Sequence, residues 1–471
     1  MSPTWPPLPG PLFLFLAALT VAAICYFVHR WPLVAGVIAA GGCLALGWIC
    51  LHQLSEEPPS FLGRVWVLDR PFVLWGREWA VTRATGALVA FILFTAGMSF
   101  LLALPASQGW SFYPFGMGVV AILVLAVTAQ QYIYSVLFLW LAANLSVFVL
   151  AGGRPEGTVG ALRFLALTSL AVMPLLILPR YLEPDAAPGA LYTATILMTI
   201  GFGILLMVVP FHGQLVAMIA HAAPMVPAFV LSAFSPLVFQ ILFSLGQAHP
   251  PLLEDRLLFD ACRWMGIATV ALGGLAAMGQ RRWEYLVGYA TLVDWGAGLV
   301  ALGQGTARGA EQAIQMVIWR AFSLTLVGTG LTIVLKAAGE KAEIADSGGL
   351  LRRRPVATLT LIIGLLSLAA FPLTPGAAGR WPLILDLLAA DPRMGWTLIL
   401  AGVGVCVGTL AGARACLGPP APGLSERRLE AMIGLGFALL ALWLVGYVFL
   451  HPEPWLGLMQ EAFAGLSFLA L

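Results

Sequence analysis

The chain has 471 residues, of which 60% are hydrophobic and 10% charged, against roughly 45–50% and 25% in ordinary soluble domains. With a mean hydropathy of +0.94, this composition excludes a soluble enzyme. A net charge of +2, from 24 basic and 22 acidic residues, gives no electrostatic footprint for nucleic acid.

A bilayer core about 30 Å thick needs about 20 apolar residues per spanning helix. Apolar windows predict helices at 11–28, 31–51, 84–104, 112–130, 132–152, 158–179, 190–219, 223–246, 257–278, 284–303, 309–338, 354–390, 394–416 and 428–450. An apolar tail at 455–471 is short for a span. The fold class expected is therefore an all-α polytopic membrane protein of about fourteen transmembrane helices. The run from Pro11 passes through His29-Arg30 straight into another apolar window, without a basic leader or a small-residue cleavage site. It is expected to be a first helix rather than a removed signal. Cys25, Cys43, Cys50, Cys262, Cys406 and Cys416 stand singly in apolar runs, so they read as small core residues rather than a disulfide framework or metal site.

Two windows are too long for one straight crossing. The seventh is interrupted at Pro210, and the twelfth carries Pro372, Pro375, Gly376 and Gly379 in its middle. Both are expected to break inside the membrane, where freed backbone groups need a protein-lined or wet cavity. Broken helices at matching places in two halves point to inverted repeats. Each is fourth in a block of five, giving repeats at 112–246 and 257–416, three leading helices within 1–111, and a last helix and tail at 417–471. In the polar stretch 52–83, residues 71–81 read either as a β-hairpin turning near Gly76 or as an interfacial loop with aromatic anchors.

Basic residues set the topology. One side of the membrane collects 13, among them Arg281, Arg282, Arg352, Arg353 and Arg354, and the other collects 9. The richer side should be cytoplasmic, with both termini outside. Lone charges within spans are costly and are functional candidates by default. Here they are Asp294 in the tenth helix, Arg320 in the eleventh, and Arg380 with Asp386 beyond the break of the twelfth; His212 follows the break at Pro210. Asp294 and Arg320 lie at similar depth and can pair, either as a structural tie or in ion passage. The bland reading of His212 is a bond to break carbonyls, and that of Arg380 is a cap on carbonyls freed at its own break.

The segment from Gly349 through Arg352-Arg353-Arg354-Pro355, followed by Leu366-Ser367-Leu368-Ala369-Ala370-Phe371-Pro372-Leu373-Thr374-Pro375-Gly376-Ala377-Ala378-Gly379-Arg380-Trp381, resembles a signature of the antiporter-like membrane subunits of respiratory complex I and of Mrp-type sodium/proton antiporters. Val209-Pro210-Phe211-His212, Arg281-Arg282 with the helix entry after it, and Trp319-Arg320-Ala321-Phe322 are similar to further family segments in the same order. The resemblance implies a fourteen-helix fold of two inverted five-helix repeats. It also implies membership of a multisubunit membrane assembly, with other membrane subunits, the lipid bilayer, and protons or monovalent cations as partners.

The departures bear on function. The resemblance implies titratable residues along the midplane, yet Leu141 stands at the family's fifth-helix glutamate, Leu205 at its seventh-helix lysine and Leu237 at its eighth-helix lysine. Arg320 occupies a lysine position, and arginine does not release its proton in proteins. The expectation is an antiporter-like subunit of a complex-I-like, Mrp-like or hydrogenase-like assembly, with an interrupted proton path and a largely structural role. Should any path remain, its candidates are His212, Asp294, Arg320, Arg380 and Asp386, with Asp294 the leading acceptor and Arg320 its tuning charge. The rival readings are a stand-alone cation or solute transporter and a membrane subunit of an inorganic-carbon uptake complex. No C-x-x-C-H, haem-type histidine pair or dinucleotide glycine fingerprint is present, so no cofactor is expected and the chain is at most a non-redox subunit of a translocating oxidoreductase.

Overall fold

The computed structural model describes residues 9–464 apart from 55–59, 62–63, 66–67, 69, 75, 184, 186–188, 255, 340–342 and 420–427. Part of the tail expected at 455–471 thus lies outside the described residues. Three leading helices, α1 (Gly10–Phe27), α2 (Pro32–Leu54) and α3 (Arg83–Leu102), are interrupted by short strands β1 (Ser60–Phe61), β2 (Arg64–Val65), β3 (Phe72–Leu74) and β4 (Arg77–Trp79). Next come α4 (Phe112–Thr128), α5 (Tyr132–Ala151), α6 (Gly157–Ile177), α7 (Ala190–Leu205), α8 (Gly213–His221) and α9 (Met225–Ala248). After the single turn α10 (Pro251–Glu254) follow α11 (Leu257–Ala277), α12 (Trp283–Leu302) and α13 (Ala307–Ala338). The turn α14 (Leu350–Arg353) leads into α15 (Pro355–Leu368), α16 (Pro375–Ala390), α17 (Pro392–Leu417), α18 (Arg428–Leu450) and α19 (Glu453–Phe463).

Every apolar window of the sequence forms helix, and among the described residues eleven helices are long and apolar enough to cross a membrane. The protein is a multi-pass membrane protein. Of the three shorter apolar helices, α7 and α15 are the first halves of the two broken ones. Burial sorts the helices into layers. In α3, α9 and α12 the most apolar stretch is 89% buried, and in α13 it is 83%, whereas in α1 and α18 it is 33% and 28%. The first group forms the core and the second presents its side chains outward.

Small residues let the backbones approach, as expected where lipid gives no hydrophobic drive between helices. Gly266 of α11 and Gly296 of α12 face one another, so that a Cβ on either would come within about 3 Å of the other's carbonyl oxygen. Further along α11, a Cβ on Gly274 would lie 2.4 Å from the Cα of Ala401 on α17.

Both breaks close in the same way. At the end of α7 the Met207 N–H donates to Ile204 and the Val208 N–H to Gly203; at the end of α15 the Ala370 N–H donates to Ser367 and the Phe371 N–H to Leu366. Each pair is a Schellman cap, with its left-handed residue supplied by Met207 (φ 53°) and Ala370 (φ 58°) rather than by glycine. The breaks therefore begin earlier than the prolines suggest. The first opens at Leu206, four residues before Pro210; the second opens at Ala369, and Pro375 starts the next helix at its first position, where its missing N–H costs nothing.

The segment 71–81 forms the hairpin. Strand β3 pairs antiparallel with β4 in the register Phe72 to Trp79, Val73 to Glu78 and Leu74 to Arg77, with Gly76 at φ 73° in the turn. It docks through Trp79, which is buried against Tyr134 and Phe138 of α5, and through backbone bonds from Ala80 to Thr128 and from Gln130 to Glu78.

The six cysteines are free, and all but the half-buried Cys406 are buried, as small core residues should be.

Candidate functional site

The core helices α12 and α13, together with the second half of the broken helix, α16, carry the only deeply buried charge cluster among the described residues that joins three helices. Asp294 of α12 is held from both sides. Arg320 of α13 donates from Nε to Oδ2 at 2.5 Å, and Arg380 of α16 donates from Nη2 to Oδ1 at 2.6 Å. Arg320 also donates from Nη2 to the Asp294 carbonyl at 3.3 Å. The exposures are 3% for Asp294, 3% for Arg320 and 1% for Arg380, so solvent screening is slight.

The cluster reaches both helix breaks. The Arg380 Nη2 donates a further bond of 2.7 Å to the carbonyl of Leu368, the last residue of α15. On the other side the Arg320 guanidinium lies over the indole of Trp295, 4.3 Å from its centroid, and the Trp295 Nε1–H donates to the carbonyl of Leu206, the cap of α7. A continuous file of Leu206, Trp295, Arg320, Asp294, Arg380 and Leu368 thus connects one interruption to the other.

The remaining backbone groups at the breaks are also served by protein. Gln214 Nε2 donates to Ile204 at 2.7 Å, Trp381 Nε1 donates to Ala370 at 3.0 Å, Thr269 Oγ1 accepts from the Val209 N–H at 3.1 Å, and Ser367 Oγ accepts from the Gly376 N–H at 2.8 Å. This is the arrangement that allows irregular backbone at membrane depth.

Of the five candidates from the sequence, the structure brings together Asp294, Arg320 and Arg380. Asp386 stands apart, six residues or about 9 Å further along α16, where Arg308 and Gln312 each donate to it at 2.7 Å. His212 also stands apart. It is half-buried at the start of α8, and its Nδ1 has no partner among the described residues. The reading that His212 binds the break carbonyls is corrected, because Gln214 and Trp295 occupy that role. Arg380 does cap its break, and it holds Asp294 at the same time.

The three leucines that the resemblance sets at relay positions divide as well. Leu205 and Leu237 are buried, at 7% and 0% exposure, while Leu141 is 46% exposed and faces away from the interior. In the run Arg352-Arg353-Arg354, Arg354 is buried and donates to the carbonyls of Glu430 and Ala431 on α18.

Sequence reasoning passed over the neutral residues of the site. Trp295 and Trp381 each follow a flagged charge directly, and Gln214 lies two residues after His212, so adjacency was the available signal. It also passed over Glu284, which is 1% exposed and accepts from both Arg154 and Arg282 at 3.2 Å at the entry to α12.

A guanidinium neither accepts a hydrogen bond nor loses its proton in proteins. The three-residue cluster can therefore tie helices together and fix a local field. A buried pair of this kind costs about 3–5 kcal/mol to break by removing one partner.

Residues 160–407, which are 248 of the 471 residues, match the family model described as NADH:quinone oxidoreductase/Mrp antiporter, TM. NADH-quinone oxidoreductase subunit N of Chromohalobacter salexigens is 26% identical over 283 residues, which is 57% of this chain and 57% of the relative. The chain thus spans little more than half the length of that curated relative. Among solved structures, a chain of the membrane-bound sulfane sulfur reductase, an archaeal respiratory membrane complex, superposes with a TM-score of 0.79 at 14% identity, covering 98% of this chain and 99% of that one. A chain of the Mrp complex from Dietzia sp. gives 0.74 at 16% identity, with 97% and 96% covered. The file of charges sits inside the matched segment, and more than half of the chain fits the family model. The chain is a member of the NADH:quinone oxidoreductase/Mrp antiporter membrane-subunit family.

Proposed function

We propose that this chain is an antiporter-like membrane subunit of a multisubunit ion-translocating complex of the NADH:quinone oxidoreductase or Mrp kind, in which its role is structural and its own proton path is interrupted. The observation that carries this reading is the Asp294 carboxylate, engaged on both oxygens by arginines that cannot exchange protons. Buried Leu205 and Leu237, at the positions where the family places lysines, offer neither donor nor acceptor and hold no water. The charge cluster then acts as a clamp that fixes the two helix breaks relative to each other.

Fourteen spans arranged as two inverted five-helix repeats, at 112–246 and 257–416, fit this assignment. The matching Schellman caps at the two breaks support it. The side carrying Arg281, Arg282 and Arg352–Arg354 is assigned to the cytoplasm, with both termini outside. A stand-alone transporter built on the breaks is disfavoured, because the protein's own side chains already engage the carbonyls of Ile204, Leu206, Leu368 and Ala370 that would hold a cation or solute.

Two measurements test the proposal. Tagged chain purified in mild detergent is expected to carry other membrane subunits of the same family; recovery as a monomer with substrate-dependent uptake overturns the assignment to a complex. In vesicles containing that complex, measured below the lowered unfolding midpoint of the variant, Asp294→Asn is expected to leave proton uptake per turnover unchanged, and a loss of uptake with assembly intact overturns the structural role.

A further inference from the structure

The charge cluster does not balance. Arg320 and Arg380 supply two positive charges and Asp294 one negative, all at 3% exposure or less. Among the described residues no other acid is paired with the cluster. Asp386 is engaged by Arg308, and Glu284, ten residues before Asp294 on the same helix, is engaged by Arg154 and Arg282. An excess of one positive charge therefore remains in a low-dielectric interior, where an uncompensated ion is costly.

The second observation locates the unused binding capacity. Of the three nitrogens of Arg380, only Nη2 is engaged; Nε and Nη1 are fully buried and have no hydrogen-bond partner among the described residues.

We propose that the unpartnered Nη1 of Arg380 binds a small inorganic monoanion of the halide class, which neutralises the cluster. A monoanion matches the charge excess, whereas a divalent anion would reverse it. The inference rests on the geometry of the cluster and holds whether or not the chain conducts protons.

The test is performed on the purified complex in lipid nanodiscs, with sodium chloride or sodium bromide exchanged for sodium gluconate at constant ionic strength. The expected result is a thermal unfolding midpoint that rises by a few degrees and saturates with chloride, as for any ligand that binds only the folded state. Arg380→Gln should abolish the rise. Asp294→Asn should lower the half-saturating chloride concentration about tenfold or more, because it removes the one negative charge that competes with the anion. A cluster that binds no anion predicts no such gain. Should Arg380→Gln fail to fold, bromide in crystals of the unaltered protein decides the matter, with an anomalous peak in contact with Arg380 expected.

A midpoint that is indifferent to the anion, a chloride response retained in Arg380→Gln, or bromide found only at the surface each overturns the proposal. These outcomes are separate from the structural reading. A complex that loses proton uptake on Asp294→Asn while keeping its chloride response refutes the first proposal and leaves this one standing.

Discussion

Asp294→Asn and Arg320→Met both dismantle the central cluster, and its charge count predicts that they differ. In the native cluster two guanidiniums share one carboxylate. Asp294→Asn removes both ion pairs at once and leaves two arginines buried side by side, at 3% and 1% exposure. Removing one partner of a single buried pair costs about 3–5 kcal/mol, so the loss here should reach about 5 kcal/mol or more. Arg320→Met removes one pair and the contact with Trp295, worth about 0.5–2 kcal/mol. It leaves Asp294 and Arg380 as a balanced pair, however, and places an apolar side chain of adaptable shape in the vacated space. The net cost should be about 1–3 kcal/mol, the range usual for a tolerated core change. The assay is the thermal unfolding midpoint of the purified complex in nanodiscs, compared at fixed protein, lipid and salt. The expected order is unaltered protein, then Arg320→Met, then Asp294→Asn. If Arg320→Met destabilises as much as Asp294→Asn, the premise that excess positive charge governs this cluster is wrong.

The geometry of particular residues sets the outcome of four other substitutions. Trp295→Phe keeps an aromatic face under Arg320 but removes the donor to Leu206; leaving that carbonyl unpaired inside the membrane should cost about 1–3 kcal/mol, and hydrogen exchange should speed up first at the end of α7. Gly274→Ala forces a methyl group to within 2.4 Å of the Cα of Ala401 and should lower the unfolding midpoint by the equivalent of about 1–3 kcal/mol. Gly436→Ala, with nothing within 4 Å, should be neutral or stabilising by up to about 1 kcal/mol. Arg308→Ala, by contrast, removes an ion pair whose arginine is 69% exposed, so the same measurement should register about 0–1 kcal/mol. A larger effect would show that Asp386 depends on Arg308 for more than a screened contact.

The spans, the existence of two breaks and the residues of the charge cluster were all legible in the chain's own order. Hydropathy is a local property of about 20 residues, proline and glycine interrupt a helix where they stand, and a charge inside an apolar run announces itself without knowledge of its neighbours. The same locality explains the hairpin, whose turn at Gly76 lies between its own two strands. Partnership was not legible. Arg380 and Asp386 lie six residues apart on one helix and go to different partners, while Arg380 and Asp294, 86 residues apart, meet at 2.6 Å. Trp295 and Gln214 carry no charge, so their only signal was adjacency to Asp294 and His212, although they close the first break. Even the breaks moved, because the cap geometry that ends α7 and α15 is set by backbone hydrogen bonds several residues before the prolines. The sequence by itself determined which segments form apolar helices long enough to cross a membrane and which of their side chains are too costly to leave unpaired there. Only the crossing of α12, α13 and α16 decided which of those side chains meet, because contact distances depend on how helices pack in three dimensions and not on spacing along any one of them.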